Sequence, residues 1–124
     1  MNLLVIDDEV DIEPLFLQRF RKEIKGGELQ LAFAHSGQEA LSYLEGHKSK
    51  EMLILSDINM PGMSGIELLK QIRSSYVNPS PKVMMITAYS DEQNYRQAMQ
   101  YGADDFLTKP LDFSVLKEKL KNKS

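Results

Sequence analysis

MLILSDINMPGMSGIELLKQI, residues 52–72, contains a short apolar run and a capped helix in immediate succession. Met52–Ser56 is a compact apolar run of the kind that forms a strand covered on both faces. Ser64, with Glu67 three places on, is a capping box. It leads into Ile66, Leu69 and Ile72, which recur at helical spacing. Asp57 stands at the end of the apolar run, where a strand would hand over to the chain leading into the helix.

The same alternation extends in both directions. Leu3–Ile6 and Val83–Ile86 are further compact apolar runs, and Asp105–Thr108 is a short fifth strand candidate. In Leu29–Ala34, Leu29, Leu31 and Phe33 alternate with Gln30, Ala32 and Ala34, which suits a half-covered edge strand. Five helical stretches lie between and after these runs. Ile12, Leu15, Phe16 and Phe20 repeat at helical spacing until Gly26–Gly27, with Asp11 expected to cap the helix. Ser36 with Glu39 opens a helix carrying Ala40, Leu41 and Leu44. Ser90 with Gln93 opens one carrying Tyr95, Ala98 and Met99, and Gly102 ends it. Asp112 caps a last helix with Phe113, Leu116 and Leu120. Strands alternating with helices define an α/β fold with a parallel sheet, and right-handed crossovers leave few strand orders open.

Composition fits one such unit. The 124 residues are 42% hydrophobic and 27% charged, enough for one core without staples. With no cysteine, disulfides, thiolate metal sites and cysteine nucleophiles are excluded. No apolar run exceeds four residues and no signal peptide opens the chain, so no membrane span is expected and a cytoplasmic location is. A net charge of −3 provides no field for direct nucleic-acid binding. Lys117, Lys119, Lys121 and Lys123 read as a solvated helix end where cations suit the dipole. His35 and His47 have no partners in sequence, and neither is read as a ligand.

In an open parallel sheet, ligands bind beyond the carboxyl ends of the strands. Strand one ends in Asp7, Asp8 and Glu9, strand three in Asp57, strand four in Thr87 and Ala88, and strand five in Thr108, Lys109 and Pro110. The opposite edge offers nothing comparable. Carboxylates 4 Å apart repel by ~1 kcal/mol per pair in water and ~4 kcal/mol at an effective dielectric of 20. Asp7, Asp8 and Asp57 must therefore take up protons, splay into water or bind a cation. All-oxygen donors on an open rim favour Mg²⁺ or Mn²⁺ over zinc. Lys109 adds positive charge beyond what mere neutralisation requires, and Thr87 and the Ala88 amide add short donors. Such an excess suits the transfer of a phosphoryl group to a carboxylate, a known type of covalent acceptor.

With LLVIDDE at 3–9, SDINMPGMSGIELL at 56–69 and GADDFLTKP at 102–110, the chain resembles the receiver domains of bacterial two-component response regulators over essentially its whole length. The resemblance implies a three-layer, flavodoxin-like (βα)5 receiver fold in strand order 2-1-3-4-5, a single unit across residues 1–124. It implies that Asp57 accepts a phosphoryl group from a histidine kinase or a histidine phosphotransfer protein. It further implies Mg²⁺, with Mn²⁺ as substitute, held by Asp8, Asp57 and the Asn59 carbonyl, with Asp7 acting through water. Lys109 and Thr87, with the backbone at Asn59 and Ala88, would hold the phosphoryl oxygens. Lys109–Pro110 is expected cis, and Phe106 occupies the switch position paired with Thr87. Lacking a hydroxyl, Phe106 has no polar anchor for an outward state. Tyr89 would screen the aspartyl phosphate from water. Output is expected through the Ser90–Tyr101 helix, strand five and the last helix, towards an output region or partner, and a phosphorylation-dependent homodimer through this face is left open. The chain is thus expected to catalyse only its own phosphorylation and dephosphorylation, as a stand-alone regulator, a phosphorelay intermediate or a module of a hybrid kinase. A dehalogenase-like aspartyl-phosphate hydrolase would need a second Asp two places after the nucleophile, where Asn59 stands. A flavin-binding domain would need a phosphate-cradling loop where the acidic triplet stands, and a receiver-shaped module that never takes phosphate would not need the full residue set.

Overall fold

Each apolar run forms a strand in the computed structural model, which describes residues 1–76, 80–88 and 91–123. The strands are β1 (Asn2–Ile6), β2 (Gln30–Ala34), β3 (Leu53–Asp57), β4 (Lys82–Ala88) and β5 (Asp105–Lys109). All pair in parallel, in the order β2-β1-β3-β4-β5. The helices are α1 (Ile12–Arg19), α2 (Arg21–Lys25), α3 (Gly37–Gly46), α4 (Gly65–Ser75), α5 (Glu92–Gln100) and α6 (Phe113–Lys123).

The strand period of two sorts side chains to two cores. Leu4, Ile6, Ile54, Val83 and Met85 face one side, where they join Ala40, Leu44, Leu69, Ile72 and Ala98 of α3, α4 and α5. Leu3, Val5, Leu55, Met84 and Ile86 face the other, where Phe16, Phe20, Leu116 and Leu120 cover them. On that side the Phe16 ring lies 5.8 Å from Phe20 and 5.1 Å from Phe113. The result is three layers, helices on both faces of one sheet.

Three local expectations are corrected. The first helical stretch divides in two at the buried Phe20, whose φ of −105° and ψ of 18° leave the helical region while Ile24 still donates to its carbonyl. Among the described residues, six helices therefore stand where five were read. Asp11 occupies the α1 cap position but its side chain accepts no capping hydrogen bond, because its own backbone is already helical. The cap of α5 is Asp91, which accepts from the Asn94 amide at 3.1 Å; Ser90 lies outside the described residues. Ser36, Ser64 and Asp112 cap α3, α4 and α6 as read.

The basic tail is also more than a solvated end. Lys119 and Lys123 both reach the Asp105 carboxylate at 2.9 Å, and Lys117 pairs with Glu23 at 3.1 Å. Burial alone would raise the Asp105 pKa, but the two ammonium groups and the Phe106 amide outweigh it and hold the value at about 2. At the far end of the sheet, Arg73 of α4 donates to the carbonyls of Gly102 and Pro81, to Ser80 and to Asp104. Asp104 in turn accepts from the Val83 amide at 2.7 Å.

Candidate functional site

Strand register builds the site. Strand order reverses at β1, between its neighbours β2 and β3, and the last β1–β3 pair is Ile6 with Ser56. One residue further on each strand come Asp7 and Asp57, so the topological switch point itself brings the two carboxylates together. Asp8 completes the group: carboxylate oxygens from Asp7, Asp8 and Asp57 all lie within 4.8 Å of one another.

Asp57 is 2% exposed. One oxygen accepts from Lys109 Nζ at 2.9 Å and the other from the Asn59 amide at 3.3 Å. The ammonium arrives from β5, two strands away, and the Lys109–Pro110 bond that follows is cis, as expected. Burial disfavours the charged Lys109, but the hydrogen bond and charge of Asp57 outweigh it and raise its pKa. The Asp7 pKa is raised as well, which for a carboxylate disfavours the charged form. Its burial raises the pKa, the Glu9 amide opposes, and the neighbouring Asp57 charge adds to the rise. One ammonium therefore faces three carboxylates. That imbalance, with donors that are all oxygen, fits a hard divalent cation such as Mg²⁺.

Gly65, first residue of α4, lies against this rim. A Cβ there would meet the Asp57 carbonyl oxygen at 2.3 Å and the Ile58 Cα at 2.8 Å. The glycine amide donates to the Ile58 carbonyl at 2.8 Å, drawing the helix start onto the strand end.

Thr87 and Ala88 close β4 on the same rim, paired with Thr108 and Lys109. The Thr87 residue is 1% exposed, and among the described residues its buried Oγ1 has no hydrogen-bond partner. A buried hydroxyl left unsatisfied is costly, so it marks a place for an absent acceptor. Phe106 lies lower on β5, opposite Met85, against the core under α3–α5. Its anchor is aromatic: the Tyr95 ring meets it edge-on with centroids 4.7 Å apart. Tyr89 lies outside the described residues.

His35, set aside in the sequence, stands at the same rim. It directly follows β2, its Nδ1 lies 2.9 Å from the Asp7 carbonyl oxygen, and its Nε2 meets the Glu13 carboxylate of α1. The Asp7 carbonyl and then Glu13 raise its pKa against the opposing effect of burial. The one sequence signal for it was its position after a strand end.

Residues 3–121 match the family model of the response regulator receiver domain. The chain is 37% identical over 112 residues to a 14.6 kDa protein of Leptolyngbya boryana from the sodA1 3'region, covering 90% of this chain and 81% of that one. It is 35% identical over 120 residues to the transcriptional regulatory protein ZraR of Salmonella typhimurium, covering 97% of this chain and 25% of that protein. Thus it spans about a quarter of ZraR's length. Among solved structures, the signal receiver domain of a signal transduction histidine kinase from Syntrophus aciditrophicus superposes with a TM-score of 0.81. That pair is 26% identical and covers 98% of this chain and 87% of the other.

Proposed function

Because the chain belongs to the response regulator receiver domain family, we propose that Asp57 is its phosphoacceptor and that residues 1–124 act as one phosphorylation-controlled switch. The observation that carries this reading is the buried Asp57 carboxylate, held by Lys109 within a cluster of three aspartates. The donor is a phosphohistidine on a histidine kinase or a histidine phosphotransfer protein. A carboxylate oxygen of Asp57 bonds to phosphorus as the phosphorus–nitrogen bond of the donor breaks, and the electron pair stays on the donor imidazole.

Receiver domains bind Mg²⁺ at an acidic cluster. Here Asp8, Asp57 and the Asn59 carbonyl are assigned to hold it, with Asp7 acting through water. When bound, the cation supplies positive charge that offsets the phosphoryl oxygens as they approach a carboxylate. Lys109 transfers part of its hydrogen bonding from Asp57 to a phosphoryl oxygen, and the Ala88 and Asn59 backbones line the same space. Thr87 Oγ1, without a partner among the described residues, gains its acceptor there.

Turning Thr87 towards the phosphoryl group frees room on its far side for Phe106 to move inward, away from Tyr95. The α5–β5–α6 surface then changes shape, and an output region or partner reads it. Among the described residues, no helix is long and apolar enough to cross a membrane, and the switch is assigned to the cytoplasm, where its phosphodonors act.

Incubation with acetyl phosphate and Mg²⁺, followed by intact mass, tests the assignment. One added phosphate is expected, abolished by Asp57→Asn and by chelator. Many turnovers of released phosphate per chain would instead indicate a hydrolase. Molecular size measured before and after labelling shows whether the switched face joins two copies.

A further inference from the structure

Asp8 is exposed and its carboxylate has no hydrogen-bond or ion-pair partner among the described residues, so the Asp7–Asp8 peptide sets the direction in which the side chain leaves the backbone. That peptide is held at its carbonyl oxygen, and the peptides before and after it are held as well. The Asp7 amide donates to the Ala34 carbonyl at 3.0 Å, continuing the β1–β2 ladder one residue past the strand. The Asp7 carbonyl faces His35 Nδ1 at 2.9 Å. The Asp7 carboxylate closes the turn by accepting from the Glu9 amide at 2.9 Å. His35 is fixed in its turn by the Glu13 carboxylate in the first turn of α1. One imidazole thus joins the end of β2, the peptide between two of the clustered aspartates, and the helix that follows them.

We propose that His35 is a positioning residue for the divalent-cation site, holding the Asp7–Asp8 peptide plane so that the Asp8 carboxylate points at the rim it shares with Asp57. The inference rests on the reading of that rim as a cation site. Its logic is that of any outer-sphere group: a ligand already oriented loses less freedom when the ion arrives. The atom that matters is Nδ1. Asparagine places its amide nitrogen near the Nδ1 position, within reach of the Asp7 carbonyl. Glutamine reaches towards the Nε2 position and Glu13 instead.

The test is Mn²⁺ binding to the unphosphorylated chain, with free ion counted by electron paramagnetic resonance and thermal unfolding recorded alongside. His35→Ala is expected to weaken Mn²⁺ affinity about tenfold, the lower end of outer-sphere effects. His35→Asn is expected to restore affinity to within about twofold of the wild type, and His35→Gln to behave like alanine. General loosening of the fold would weaken all three variants in step with their melting temperatures, and that pattern overturns the proposal. So does tighter binding by His35→Ala, which would mean that the imidazole acts on the ion through charge rather than orientation. If the wild type itself binds no Mn²⁺, or Asp8→Asn and Asp57→Asn leave binding intact, the cation site fails and the His35 role falls with it. Wild-type binding with no effect at residue 35 removes only the latter.

Discussion

Replacing Gly65 with alanine sets a general rule against a local contact. Helix propensity favours the change by about 0.5–1 kcal/mol, since Gly65 opens α4. The contact opposes it strongly. The new methyl carbon would lie 2.3 Å from the Asp57 carbonyl oxygen, about 1 Å inside ordinary van der Waals range, and 2.8 Å from the Ile58 Cα. Both neighbours are backbone and cannot swing away as a side chain would. Either α4 lifts from β3, losing the Gly65–Ile58 hydrogen bond, or the Asp57–Ile58 backbone shifts. Overpacking of this kind costs about 1–3 kcal/mol, and the lost backbone bond places the expected ΔΔG near the upper end, about 3 kcal/mol. A displacement of about 1 Å at the reacting carboxylate lowers the labelling rate by about 100-fold. Urea unfolding reads the first quantity, and the rate of mass gain in acetyl phosphate with Mg²⁺ reads the second. Gly46→Ala is the control, because its Cβ would meet nothing within 4 Å and propensity alone should act there. A Gly65→Ala protein with wild-type stability and labelling rate would refute the close-packing argument.

Thr87→Val should stabilise the unphosphorylated protein by about 1 kcal/mol in urea titration, because it removes a buried unsatisfied hydroxyl at constant shape. Thr87→Ala should still accept phosphate yet fail to shift the α5–β5–α6 surface, seen as unchanged hydrogen exchange there after labelling. Asp105→Asn should cost about 1–2 kcal/mol at neutral pH. Its folded pKa of about 2 lies below the usual 3.8, so this stability is present above about pH 4 and is lost as pH falls towards 2. Unfolding curves of wild type and variant should therefore converge across that window. Arg73→Met should cost about 2–3 kcal/mol by stranding the Asp104 carboxylate and the Gly102 carbonyl. Arg73→Lys should recover little of it, since one ammonium cannot replace the guanidinium fork, and labelling of Asp57 at the opposite end of the sheet should proceed in both variants.

Much of the site was legible because strand ends are. Asp7, Asp8, Asp57, Thr87 and Lys109 all follow apolar runs, and a parallel sheet sends every such end to one rim. His35 obeys the same rule at the end of β2, yet a lone histidine carries no signal until Asp7 and Glu13 are seen around it. The clasp of Lys119 and Lys123 on Asp105 was hidden for a related reason. The alternating lysines read as solvated until α6 was laid beside β5. Ser90 misled through a near-tie, since Asp91 is an equally good cap one residue later.

The sequence by itself determined what short-range physics decides. Two-residue alternation and apolar runs marked the strands, i,i+3 pairs marked two of the helix starts, and glycines marked stops. Tertiary structure alone decided what depends on residues far apart in the chain. Examples are the pairing of β1 between β2 and β3, the 2.9 Å approach of Lys109 to Asp57 across 52 residues, and the notch that admits only a glycine at position 65. Local propensities act within a turn or two of chain, whereas these contacts exist only after the sheet has chosen its order and both cores have closed on it.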